Sequence, residues 1–190
     1  MKLFHLAFAG VLYLVSFAGD AFAQAADHYV TIQLKSGPVV IQLMPDVAPK
    51  HVAQIEALVK KGEYDNVAFH RVIPGFMAQT GDVKYGNMEK NFDASLAGTG
   101  GSDLPDLPAE FSKTPFVRGT VGMARAQDPN SANSQFFIMF ADGSFLNGQY
   151  TVVGKVVSGM ENVDKIKKGE GQNGEVSNPD RMIKVTLGKK

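Results

Sequence analysis

Phe69-His70-Arg71-Val72-Ile73-Pro74-Gly75-Phe76-Met77-Ala78-Gln79 decides how the rest of the chain is read. Two short runs rich in aromatic and β-branched residues flank Pro74-Gly75, and Pro-Gly is among the strongest turn signals a sequence offers. The runs therefore predict two strands of a hairpin. Alternation puts Met77 and Gln79 on one face of the second strand. Arg71 then meets a cluster of Phe, Met and Gln around the turn. An arginine in a strand is ordinarily a salt-bridge partner, or a stem laid along apolar surface with its head in water. The alternative is a fixed cation that donates hydrogen bonds to a neutral ligand beside an apolar pocket.

Upstream, Val30, Ile32 and Leu34 alternate with Tyr29, Thr31 and Gln33, and Val39, Ile41 and Leu43 continue the pattern beyond a Ser36-Gly37-Pro38 turn. This predicts a second hairpin with one buried face. Pro45 to Gly62 predicts a helix. Pro49 suits the first turn, Val52, Ile55, Leu58 and Val59 repeat at helical spacing, and Gly62 can end it. Such a helix reads as a lid over one end of a sheet or barrel.

Downstream, Gly81 to Ala109 lacks periodicity, and a loop of that length in a compact domain is usually functional. Flexible packing is the expected role of its glycines, which lack the Gly-Lys-Ser/Thr of a phosphate loop. Thr120–Ala124 predicts a strand. Gln135–Phe140 predicts another, apolar on both faces, with Gln135, Phe137 and Met139 sharing one of them. Phe145 and Leu146 fall in a loop, and Tyr150–Val157 is a further strand. Met160, Val163 and Ile166 mark a short second helix, and Met182–Leu187 the last strand. Gly169-Glu170-Gly171-Gln172-Asn173-Gly174 matches a dinucleotide glycine pattern by letter. It follows a helix and leads to a strand, the reverse of what pyrophosphate binding needs, and reads as a loop. Many short strands with two helices predict an all-β fold: a closed eight-stranded antiparallel barrel with helices at its openings.

The chain has 190 residues, 44% hydrophobic and 20% charged, enough for one domain with a real core. Lys plus Arg and Asp plus Glu are 19 each, so no global field favours nucleic acid or anionic membrane. Cysteine is absent, which excludes disulfides, thiolate metal sites and cysteine nucleophiles. His5, His28, His51 and His70 have no metal-ligand spacing, and no metal or cofactor is expected. Residues 1–23 read as a secretory signal peptide: Lys2, an apolar run to Ala18, then Ala21-Phe22-Ala23. Cleavage is expected after Ala23 or Ala25, leaving a single domain over 24–190. The apolar run is shorter than the roughly 20 residues that span a bilayer, so no stable membrane insertion is expected after cleavage.

The motifs are specific enough to carry a resemblance. Phe69 to Gln79 continues as Thr80-Gly81-Asp82. Gly119-Thr120-Val121-Gly122-Met123-Ala124-Arg125-Ala126 and Asn133-Ser134-Gln135-Phe136-Phe137-Ile138 follow, then Phe145-Leu146-Asn147-Gly148 and Val153-Gly154-Lys155-Val156. In content and order these blocks resemble cyclophilins, the peptidyl-prolyl cis-trans isomerases, over essentially all of the chain beyond the leader. The resemblance implies an eight-stranded antiparallel barrel capped by two helices, with a substrate groove on its outer surface. It implies catalytic roles for Arg71, Gln79 and Phe76. Met77, Ala124, Gln135, Phe137, Phe145, Leu146 and Tyr150 would bind substrate, and Arg125 would offer its backbone to an extended peptide.

Phe145 stands where the best-known eukaryotic members carry tryptophan, and Tyr150 where they carry histidine. That pair resembles exported bacterial cyclophilins and implies a periplasmic address, with a eukaryotic secretory lumen as the alternative. The missing indole N–H implies weak binding of the cyclic peptide drug cyclosporin. The expected partners are proline-containing unfolded or flexible polypeptides, and the expected state is a monomer. A non-catalytic chaperone or proline-peptide module would use the same groove but would not demand Arg71 and Gln79. A hydrolase built on Ser134 or Ser144 lacks a nucleophile-elbow context.

Overall fold

The computed structural model describes residues 28–188. The expected signal peptide lies outside the described residues. Ten strands and two α-helices follow one another: β1 (Tyr29–Leu34), β2 (Gly37–Leu43), α1 (Pro49–Lys60), β3 (Val67–Ala68), β4 (Arg71–Ile73), β5 (Met77–Thr80), β6 (Thr120–Met123), β7 (Phe136–Met139), β8 (Val152–Ser158), α2 (Met160–Val163), β9 (Arg181–Met182) and β10 (Lys184–Gly188). Among the described residues no helix is long and apolar enough to cross a membrane.

Both hairpins form where turn chemistry and alternation predict them. In the first, Leu34 pairs with Gly37, so the turn is Lys35-Ser36, one residue earlier than expected. In the second, Ile73 pairs with Met77 and Arg71 with Gln79. The Phe76 N–H donates to the Ile73 carbonyl at 3.1 Å, with Gly75 at φ 71°. Pro then Gly at the two central positions is what a turn with positive φ at its third residue requires.

Eight strands form one curled antiparallel sheet in the order β10-β1-β2-β8-β6-β7-β5-β4, and β3 pairs with β9 separately. The ladder is a curled half-barrel of eight strands, with β4 and β10 at its two ends. β4 is only three residues long, and its free edge is taken up by the loop before β9. The Val72 N–H donates to the Gly174 carbonyl at 2.7 Å, and the Gly169 N–H to the Val72 carbonyl at 2.8 Å. The β3–β9 ladder, with Val67 opposite Met182, spans the remaining gap.

α1 starts at Pro49 rather than Pro45, with proline in its first turn. Its C-terminus follows the sequence reading. The Gly62 N–H donates to the Val59 carbonyl and the Glu63 N–H to the Leu58 carbonyl, the pairing expected when a left-handed glycine ends a helix. At the N-terminus Ala48 offers no capping side chain. The Glu110 carboxylate does so from 59 residues away: it accepts from the Lys50 and His51 amides at 3.1 Å and lies 2.6 Å from His51 Nδ1. Partial burial pushes the Glu110 carboxyl up, but these hydrogen bonds outweigh it and hold the group below its ordinary range. α1 packs against β10. It presents Val52, Ile55, Leu58 and Val59 to a core that includes Val30, Ile41, Phe136 and Val185. Tyr64 is wholly buried there, and its hydroxyl donates to the Ser134 carbonyl at 2.8 Å.

Strand period divides the apolar residues between two clusters. Ile138, Ala78 and Val153 belong to the core that includes the α1 residues. Phe137, Met139, Met77 and Val152 form a second cluster with Phe116 and Leu146. Adjacent residues on β5, β7 and β8 point to opposite faces, so the second cluster lies on the sheet's other face.

Candidate functional site

The second cluster opens into a groove of about 310 Å³. Of the residues singled out in the sequence, Arg71, Phe76, Met77, Gln79, Ala124, Arg125, Phe137, Phe145, Leu146 and Tyr150 all line it. Gln135 lines an adjoining hollow of about 360 Å³, which shares Gln79, Ala124 and Arg125 with the groove. Met77, Phe137 and Leu146 are buried and make the apolar part. Phe145 is 63% exposed and forms the rim, its ring centroid 5.5 Å from that of Phe76. Tyr150 meets Phe137 edge-on at 5.9 Å.

Arg71 is held by two acceptors. Its Nε donates to the Asn173 carbonyl at 2.9 Å, and its Nη1 to Gln79 Oε1 at 3.2 Å. Among the described residues it forms no salt bridge, and its Nη2 has no partner. A guanidinium carries five N–H donors and cannot lose its charge in a protein. Arg71 is therefore a positioned cation with spare donors beside an apolar hollow. The salt-bridge reading open at the sequence level does not apply to the described residues.

A polar relay continues from it. Gln79 Nε2 donates to Gln135 Oε1 at 3.0 Å, and Gln135 Nε2 to the Gly100 carbonyl at 2.8 Å. Each amide is oriented by the next. The relay ends on the loop that the sequence suggested was flexible, and that loop is pinned. Asp82, wholly buried, accepts the Lys84 and Tyr85 amides on one oxygen and the Gly98 and Gly100 amides on the other, all between 2.8 and 3.1 Å. Gly100 is required for this approach, since a Cβ there would fall 2.5 Å from Asp82 Oδ1. Asn133 Oδ1 accepts from both the N–H and the hydroxyl of Ser102 at 2.7 Å. Asp82 and the Asn173 carbonyl are site-building groups that residue-type reasoning missed. Asp82 ends the Phe69–Asp82 block, whereas nothing in the sequence marks a loop carbonyl.

The Arg125 side chain folds back over the Tyr150 ring at 4.5 Å and donates to the Gln149 carbonyl. Its own N–H and C=O have no partner among the described residues. They are free to pair with an extended chain in the groove, as a sheet edge does.

His70 is buried beside this relay, with Gly98 against its ring. Burial pushes its pKa below the ordinary 6.5, while the nearby Asp82 carboxylate pulls the other way and loses. The imidazole is neutral in the native protein around neutral pH. Because its folded pKa is depressed, the stability this contributes is present above 6.5 and is lost as pH falls through the folded value. Turnover should then be nearly flat from about pH 7 to 8 and fall only on the acid side, where a second cation would form beside Arg71. A pH series of kcat/KM, with circular dichroism at each pH, tests this. A steep ionisation between pH 7 and 8 in folded protein contradicts it.

The site is thus an apolar groove on a curled all-β fold, edged by a fixed guanidinium with spare donors. Residues 29–187 match the family model described as cyclophilin type peptidyl-prolyl cis-trans isomerase/CLD. The chain is 73% identical over 168 residues to a probable peptidyl-prolyl cis-trans isomerase of Brucella suis, covering 87% of this chain and 86% of that one. It is 37% identical to peptidyl-prolyl cis-trans isomerase A of Dickeya dadantii, covering 86% and 83%. Among solved structures, a cyclophilin from Hirschia baltica superposes with a TM-score of 0.71 at 28% identity, covering 85% of this chain and 74% of that chain. A Cryptosporidium parvum cyclophilin type isomerase, solved in the presence of the dipeptide Ala-Pro, superposes at 0.68 with 25% identity, covering 85% and 99%. The chain belongs to the cyclophilin-type peptidyl-prolyl cis-trans isomerases, and its activity is that of the family.

Proposed function

We propose that this isomerase turns X–Pro bonds of unfolded or flexible exported polypeptides by hydrogen bonding from Arg71 to the twisted imide. The observation that carries the reading is the Nη2 of an otherwise fixed guanidinium at the edge of the apolar groove, unpaired among the described residues. Rotation about the imide breaks amide conjugation, against a barrier of roughly 18–20 kcal/mol. No covalent bond is made, so neither nucleophile nor metal is required. At the top of the barrier the prolyl nitrogen regains a lone pair and becomes an acceptor. A donor aimed there binds the twisted form better than either planar form, and only such differential binding accelerates the step.

The roles divide accordingly. Met77, Phe137 and Leu146 hold the proline ring, with Phe76, Ala124 and Tyr150 closing the sides. Gln79, oriented through Gln135, keeps Arg71 in register. The Arg125 backbone pairs with the chain leading to proline, and the ring fixes one side of the bond while the other side turns. Phe145 closes the rim and offers no hydrogen-bond donor.

The decisive test is cis-trans exchange of a short X–Pro peptide, followed by NMR with the protein lacking residues 1–23. Exchange no faster than in buffer alone would sink the reading. The proposed address is the bacterial periplasm, on the strength of residues 1–23 together with Phe145 and Tyr150. Cell fractionation with an epitope-tagged chain tests it. A eukaryotic secretory lumen is the other address such a leader would serve.

The rim leads to a pharmacological expectation. Phe145→Trp adds an indole N–H where cyclosporin offers an acceptor. One neutral hydrogen bond contributes about 0.5–1.5 kcal/mol, so inhibition should tighten roughly threefold to tenfold. An inhibition titration of both proteins measures this. Equal, tight inhibition of the two would refute it.

A further inference from the structure

Behind the groove lies a layer that does not line it. Phe116, on the segment before β6, is 1% exposed and absent from the groove lining. Its ring stacks on Phe137, with centroids 5.7 Å apart and planes 21° apart. The stack exists because residue 122 has no side chain. Gly122 is the cross-strand partner of Phe137. A Cβ there would fall 2.5 Å from Phe116 Cε1 and 2.7 Å from Phe137 Cζ. The backbone of Phe116 is tied as well. Its N–H donates to Asn147 Oδ1 at 2.8 Å, and its carbonyl accepts from the Gly143 N–H at 2.9 Å. Gly143 and Asn147 bracket the 3₁₀ turn Ser144–Leu146, which carries Phe145 and Leu146.

We propose that Phe116 is a positioning residue for isomerisation. Its ring holds Phe137 as the floor of the proline pocket. Its backbone holds the wall that bears Phe145 and Leu146. One residue thereby sets the separation of floor and wall. The inference rests on the groove being the proline site. It follows from packing physics: a gap of half an ångström to one ångström forfeits a quarter to a half of a dispersion contact. A pocket that must grip one ring while the adjoining bond turns is sensitive to that loss.

The test measures kcat and KM on an X–Pro peptide, with a urea unfolding curve for each protein. The variants are Phe137→Ala, Gly122→Ala, Phe116→Leu and the Gly122→Ala/Phe116→Leu double. The new methyl at 122 must displace both rings, so Gly122→Ala should lower kcat/KM about tenfold in folded protein. The smaller residue at 116 makes room for that methyl, so the double variant should recover about threefold or more. Phe116→Leu alone should raise KM roughly threefold. A packing role alone would move the urea midpoints and leave kcat and KM of the folded protein unchanged. Wild-type kinetics in folded Gly122→Ala, or a double variant no better than the single, overturns the inference. If Gly122→Ala does not fold, Phe116→Leu decides alone, and unchanged kinetics overturn it. Wild-type activity in Phe137→Ala would instead bring down the assignment of the groove, a separate failure.

Discussion

Arg71→Ala lowers kcat/KM on X–Pro peptides by about tenfold to a hundredfold while the protein stays folded. The magnitude follows from what the side chain supplies. A charge-assisted hydrogen bond contributes about 1.5–3 kcal/mol net, and 1.36 kcal/mol is one decade of rate. The rest of the acceleration comes from positioning and desolvation in the groove, which the substitution leaves in place. The fold tolerates the change for a structural reason. Arg71 is half-buried at the edge strand β4 and forms no salt bridge among the described residues. Its partners, the Asn173 carbonyl and the Gln79 side chain, are not sealed in the core. Arg71→Lys should recover only part of the activity, because a single ammonium cannot keep both acceptors and still aim a third donor. Protease-coupled or NMR exchange assays, with thermal melts alongside, measure all three proteins. Wild-type turnover in folded Arg71→Ala would end the proposed mechanism.

How much of this was legible beforehand depends on distance along the chain. The Arg71/Gln79 pairing, the Gly62 helix end and the two-faced strand around Phe137 rest on turn chemistry and alternation, which act within a few residues. The residues lining the groove came from a resemblance over several blocks, not from periodicity. What escaped was non-local. Glu110 caps a helix that begins 61 residues before it. Phe116 reaches Phe137 only because the neighbouring strand has glycine at 122. The cover on the free edge of β4 is also non-local, since it comes from the loop that carries Gly174. The glycine-rich run at 169–174, a loop by its place between a helix and a strand, supplies the Asn173 carbonyl that holds Arg71.

Asp82→Ala should cost stability as well as turnover, although the residue lies outside the groove. The carboxylate has no solvent exposure and satisfies four backbone amides, from Lys84, Tyr85, Gly98 and Gly100. Alanine leaves those donors unpaired unless the loop opens to water. Each buried donor left unpaired costs about 1–3 kcal/mol, and because the four share one loop that can relax, the net loss should be roughly 3–5 kcal/mol rather than their full sum. At about 2–4 °C per kcal/mol for a chain of this size, the melting temperature should fall by roughly 6–20 °C. Asp82→Asn keeps one acceptor oxygen and should fall in between. Turnover drops for a second reason, measurable well below the melting point. When the segment 98–100 is released, the Gly100 carbonyl no longer receives Gln135, and the orientation passed through Gln79 to Arg71 is lost. The loss should therefore appear in kcat more than in KM, since the apolar pocket is untouched. Urea unfolding and peptide exchange at 10 °C separate the two effects. A folded Asp82→Ala protein within about 1 kcal/mol of wild type and equally active would mean that the clamp on this loop governs neither the fold nor the arginine.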